Sequence, residues 1–229
     1  MVFLSIRPVA VVLVGVFLLV LPLSCDSLAN SPSVNRKAVM TRAAISFVKE
    51  RDPSAALRYY DMLPPSPYLW QRGLVAYCAG EFEVAAKQFD FDRSVNGGDG
   101  EEALWMCASL ARIQGTTKAD LLSSLPPNGL VVNDPRQVIR DSVKLFYDFL
   151  STSPPDDLAA KFLTSNSGDD KTTFYADLYL GLLYDSISPN PTLASSYLSK
   201  ALATTYAQRS SDFMISTAEN VQKMSLKTW

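Results

Sequence analysis

The chain contains no histidine. Ser-His-Asp and Cys-His catalysis, His-ligated zinc and imidazole pH switching are therefore closed to it. Any chemistry would fall to carboxylates, lysine, tyrosine or cysteine. The three cysteines give no disulfide framework. Cys25 sits in an apolar leader, while Cys78 and Cys107 read as small buried hydrophobes, a bridge between adjacent helices being the alternative. The acidic pairs Asp156-Asp157 and Asp169-Asp170 lack the alternating ligands and the glycine of a calcium loop and read as solvated loops or helix caps. Glu101-Glu102 falls at a helix start, where the helix dipole stabilises negative charge. A hydrolytic pair needs two carboxyls across one cleft, and the spacing puts no two on a shared face; Glu101 and Asp177 are the acids such an enzyme would rest on. No P-loop, dinucleotide fingerprint or zinc spacing is present, and Ser31-Pro-Ser33 and Ser151-Thr-Ser153 are not nucleophile elbows. The expectation is a protein without catalytic residues, cofactor or metal.

The elements that must position any site are helices. Apolar residues make up 48% of the 229 residues, which argues against general disorder. The 21 basic and 23 acidic residues give a net charge of −2 and no basic stripe, so nucleic acid is not an expected partner. No strand pattern appears. Met40, Ala43, Ala44 and Phe47 share a helical face, and Asp52-Pro53 opens a following helix with Ala56 and Tyr60 inward. Further helices are predicted over 101–114, 118–125, from Asp134-Pro135 to Leu150, over 155–163 and over 210–225.

A repeat underlies part of this pattern. From Ser66 to Asp99, Leu69 is large, Gly73 small and Gly80 a turn; then Phe82, Ala85 and Phe89 are aromatic, small and aromatic. Gly73 and Ala85 are small where two helices cross closely, with Leu69, Phe82 and Phe89 filling either side. Arg72 and Asp92 depart from the pattern, standing where apolar and small residues are usual. From 174 to 207, Leu180-Gly181, Tyr184, Ala194, Leu198 and Ala201 repeat it, with an extra residue in the turn at Ser188-Pro-Asn-Pro191. A degenerate copy spans about 37–65.

These spacings resemble the 34-residue tetratricopeptide repeat. The runs Tyr68-Leu-Trp-Gln-Arg-Gly-Leu74, Gly80-Glu-Phe82, Glu101-Glu-Ala-Leu-Trp105 and Gln208–Met214 resemble plastid-targeted proteins of that superfamily in plants and algae. More distantly, the order of elements resembles a bacterial envelope lipoprotein, an adaptor for peptidoglycan-remodelling enzymes. The resemblance implies an all-α, right-handed solenoid of helical hairpins over 30–229, closed by a C-terminal capping helix. It implies a non-catalytic scaffold that binds other proteins, with first helices lining a groove. On that template Trp70, Leu74, Tyr77, Tyr175, Leu178 and Asp185 face the groove, and Gly73, Gly80, Ala85, Phe89, Gly181, Tyr184, Ala194 and Ala201 pack the repeats. The same aromatics could instead pack between repeats or against the C-terminal helix. Leu74 stands where chaperone-binding repeats carry a carboxylate-clamping Asn, so the expected occupant is apolar or aromatic, or a helix of the same chain.

The N-terminus reads as a targeting segment. One arginine precedes an apolar run from Val9 to Leu23, short for a membrane span and suited to a signal peptide cleaved after Ala29. Leu23-Ser24-Cys25 only loosely resembles a lipobox. Residues 27–49 carry Arg36, Lys37, Arg42 and Lys49 and no acid, which is transit-peptide-like but equally the basic face of a first helix. The expected compartment is the secretory pathway or outside the cell, the alternatives being a plastid (thylakoid lumen or stroma) or a membrane held through an uncleaved N-terminus. The anchored alternative is an assembly or stability factor for a membrane complex, a photosynthetic one among the candidates.

Overall fold

The computed structural model describes residues 35–131, 133–151 and 157–228; the expected signal peptide or anchor, its cleavage point and the membrane association through it lie outside the described residues. Residues 34–229 cluster as one compact unit. Among the described residues the secondary structure is entirely helical. The chain runs α1 (Arg36–Val48), α2 (Pro53–Tyr60), α3 (Trp70–Ala79), α4 (Phe82–Val95), α5 (Gly100–Ala111), α6 (Lys118–Ser124), α7 (Gln137–Ser151), α8 (Leu158–Ser165), α9 (Asp170–Ser186), α10 (Pro191–Ala203), α11 (Thr205–Arg209) and α12 (Phe213–Thr228). No described helix is long and apolar enough to cross a membrane.

Short polar side chains start these helices by meeting backbone N–H groups that have no partner within the helix. Asn35 accepts from Ala38 at 3.1 Å, Asp52 from Ala55 at 2.8 Å and Asn190 from Leu193 at 3.1 Å. Pro53 and Pro191 follow their caps, where a missing N–H costs nothing. Asp169 caps α9 by accepting from Lys171 and Thr172.

Consecutive helices pair: α1 with α2, α3 with α4, α4 with α5, and α9 with α10. Small residues set the closeness. A Cβ added to Gly73 would lie 2.6 Å from the Phe89 ring, and one on Gly181 2.6 Å from Leu198. Ala85, Ala194 and Ala201 are fully buried alongside. Tyr184 stacks on Tyr197 with centroids 5.7 Å apart. The α3 helix ends at Gly80 in a left-handed conformation, φ 82°.

The two departures from the repeat pattern answer each other. Gln88 Nε2 donates to Asp92 at 2.9 Å and to the Ser66 carbonyl at 2.9 Å, while its Oε1 accepts from Arg72 at 3.3 Å. Arg72 also pairs with Asp61 at 2.8 Å. A polar chain thus replaces apolar packing at one side of the α3–α4 hairpin.

Some predicted boundaries move. The seventh helix starts at Gln137, not at Asp134-Pro135. The Asp134 carboxylate is taken instead by the Arg136 backbone and guanidinium and by the Gly100 N–H. The segment predicted over 155–163 is helical as Leu158–Ser165, its first residues lying outside the described ones. The last helix begins at Phe213 rather than Ser210, because Asp212 accepts from the Met214 N–H at 3.0 Å. Cys78 and Cys107 are separate, buried thiols rather than a bridge.

Candidate functional site

Helix α5 neighbours both α3 and α9, and α12 packs on α10 and over α3, α9 and α1. The residues expected to face a partner divide along this cover. Leu74, Tyr77, Leu178 and Asp185 are enclosed, at 0–1% exposure. Asp185 accepts from the Tyr77 hydroxyl at 2.7 Å, from Arg112 at 2.9 Å and from Ser225 of α12. These side chains tie α3, α5, α9 and α12 together; in this structure Tyr77, Leu178 and Asp185 form no open surface. Phe213 of α12 stacks on Phe47 at 4.8 Å and meets Trp70 edge-on at 5.8 Å. Asn220 and Gln222 continue the seam by donating to the carbonyls of Phe47 and Ser195.

At the N-terminal end of α12 the cover leaves a cavity of about 310 Å³. Trp70, Leu74 and Tyr175, all expected at the groove, line it, with Phe89, Asp99, Glu101, Glu102, Trp105, Arg136, Asp212 and Met214. Trp70, 38% exposed, stands at its edge. Carboxyls that the sequence did not place together therefore share one cleft. Asp99, Glu101 and Asp212 are engaged by the protein itself. Arg136 pairs with Asp99 at 3.1 Å, with Glu101, and with Asp134 at 2.8 Å. Tyr179 donates to Glu101, and the hydroxyls of Tyr175 and Tyr206 donate to Asp212 at 2.8 and 2.6 Å.

The environments push these acids apart. Burial acts first against the charge of Asp212, but the Tyr206 hydroxyl, the Met214 N–H and the Tyr175 hydroxyl outweigh it and hold the carboxyl below its usual range. Burial raises Glu101, opposed by Arg136 and Tyr179. Glu102 goes furthest: burial, then the charges of Asp99 and Asp92, push it up to about 8, with Arg93 acting weakly the other way. Glu102 Oε2 and the indole Nε1 of Trp105 are buried without a hydrogen-bond partner among the described residues.

Sequence reasoning missed Arg136, Asp99, Trp105, Asp212 and Met214 as neighbours of Trp70. The one local signal was the shared α5 face of Glu102 and Trp105, three residues apart. Among the described residues no cluster of acids and cysteines could hold a metal ion. No family model, curated protein or solved structure matches the chain.

Proposed function

We propose that this chain is a non-catalytic protein-binding scaffold of the tetratricopeptide-repeat kind, a right-handed stack of helical hairpins capped by α12. The observation that carries the reading is the position of α12. It packs mainly on α10 and reaches over α3, α9 and α1, the way a partner helix occupies a groove, and leaves the aromatic cavity beside Trp70 open. The acids of that cavity favour binding over hydrolysis. A two-carboxyl mechanism needs both groups available for proton transfer or attack, whereas Asp99, Glu101 and Asp212 are held by Arg136 and the tyrosine hydroxyls. Partners are other proteins, met in a secretory, envelope or plastid compartment.

The test is co-purification of tagged full-length protein from its native organism beside a Trp70→Ala variant, with circular dichroism to establish that both are folded. A small set of proteins retained by the wild type and lost with Trp70→Ala is the expected result. An unchanged set with both proteins folded moves the working surface away from this cavity.

A further inference from the structure

Two residues that line the cavity each carry a buried polar atom, a carboxyl oxygen and an indole N–H, with no hydrogen-bond partner among the described residues. Glu102, 8% exposed, and Trp105, 1% exposed, both line it, and Glu102 Oε2 and Trp105 Nε1 lack partners. Leaving either unmet is costly. One helical turn separates them on α5, so their Cβ atoms lie about 5–6 Å apart on one face. Together they ask for a ligand with a donor close to an acceptor.

The surroundings fix the sign of the ligand. Asp99, Glu101 and Asp212 share the cavity with Glu102, and Asp92 of α4 adds its charge. Against them stand Arg136, committed to Asp99, Glu101 and Asp134; Arg93, which donates to the Ser124 carbonyl at 2.6 Å; and Lys171, over the Tyr175 and Tyr206 rings. Carboxyls outnumber cations, which disfavours an anion. Trp70, Phe89, Trp105 and Tyr175 offer aromatic walls, which suit a cation. A lysine side chain supplies the cation but keeps its own carbonyl at the far end of a long stem. A polypeptide's amino terminus carries an ammonium and a carbonyl on adjacent atoms of one residue.

We propose that this cavity receives the free N-terminus of a partner polypeptide, its α-ammonium on Glu102 and its first carbonyl oxygen on the Trp105 indole N–H, with Leu74, Phe89 and Met214 around the first side chain. This rests on the scaffold reading above and names what the scaffold holds. Proton linkage follows. Glu102 titrates near 8, among Asp92, Asp99, Glu101 and Arg93, and an α-amino group at about 7.7–8.0. Forming the ion pair releases one proton to solvent at lower pH and takes one up at higher pH, so affinity peaks near pH 8.

The full chain is titrated, by tryptophan fluorescence and calorimetry, with leucyl-alanyl-alanine amide, the same peptide N-acetylated, and N-acetyl-lysine methylamide. The free peptide is expected to saturate with an optimum near pH 8, and the acetylated one to bind at least tenfold more weakly. Glu102→Gln and Trp105→Phe, shown to be folded, weaken the free peptide; Glu102→Gln also removes the fall in affinity below pH 8 and leaves only the loss as the amine deprotonates, whereas Trp105→Phe keeps the optimum near pH 8. Equal binding of both peptides by the wild type, or no binding of the free one, overturns the proposal without any variant. Tighter binding of the lysine derivative overturns it too, and assigns the cavity to side-chain ammonium groups. If partner retention depends on Trp70 while the wild type ignores acetylation, only this inference fails. If the wild type discriminates the peptides but Trp70→Ala keeps every partner, the scaffold reading fails alone.

Discussion

Glu102 concentrates the chemistry of the cavity in one side chain, and its burial has a thermodynamic signature that needs no ligand. Its carboxyl is raised from 4.5 to about 8 by burial and by Asp99 and Asp92. The folded protein therefore keeps a proton that the unfolded chain loses above its ordinary value. Where the unfolded state binds fewer protons, stability falls as pH rises. The contribution is intact below about pH 4.5 and is lost progressively up to about pH 8. Each unit of displacement corresponds to about 1.4 kcal/mol. Glu102→Gln keeps the shape and removes the titration, so the variant is expected to match the wild type near pH 4 and exceed its stability by about 2–4 kcal/mol at pH 9. Urea denaturation across that range measures the difference; a constant gap between the two proteins shows that Glu102 is ionised in the fold. The sequence placed Glu101-Glu102 correctly at a helix start but could not place Arg136, 35 residues on, or Tyr179, 78 residues on, against them. Contacts of that separation are set by how helices stack, which no local spacing encodes.

At the level of helices, the sequence was most legible where geometry forces a residue type. A helix crossing that presses a ring or a branched side chain against the opposite backbone leaves room only for hydrogen, and Gly73 under Phe89 and Gly181 under Leu198 are such places. The cap at Asp52-Pro53 was legible for the same reason, since it solves a local backbone problem; Asn190-Pro191, read only as part of a turn, also caps α10. The start of α7 was misread because the Asp134 carboxylate is taken by the backbone and guanidinium of Arg136, two residues on, and by the distant Gly100 N–H. The crossings carry a quantitative expectation. Gly181→Ala gains about 1 kcal/mol of helix propensity, but its Cβ would stand 2.6 Å from Leu198 Cγ and 3.4 Å from the Leu198 backbone nitrogen. Overpacking of that kind costs about 1–3 kcal/mol. A net loss of up to about 2 kcal/mol in thermal or urea unfolding is expected. A second change, Leu198→Ala, should recover part of it through a negative coupling in the double-mutant cycle. A stabilised Gly181→Ala shows that the crossing is looser than the geometry states.

Across the whole molecule the arrangement turns on α12, and this is where the sequence was least informative. Its apolar positions read as a capping helix; in the structure α12 also packs against α3 and α9, and its Ser225 donates to Asp185, a residue read as facing a partner. A cover made by a single helix can open locally without the rest. The cysteines report on that opening. Cys78 lies in the last turn of α3 and points its thiol at the Thr217 carbonyl of α12, 3.9 Å away. Cys107 lies in α5 and reaches the Leu121 carbonyl of α6 at 3.7 Å. Burial raises both thiols, Cys78 well above the ordinary value and Cys107 to about 12, so neither reacts while covered. Release of α12 uncovers Cys78 and leaves Cys107 inside the α5–α6 pair. Peptide-resolved alkylation in mild urea is therefore expected to modify Cys78 at least tenfold faster than Cys107. Phe213→Ala, which removes the stack on Phe47 and the edge contact with Trp70, should accelerate Cys78 further while changing Cys107 less. Equal rates at both cysteines, with and without Phe213, make α12 part of a single cooperative unit. The covered face of α3 and α9 is then core, and only the cavity beside Trp70 is left for a partner.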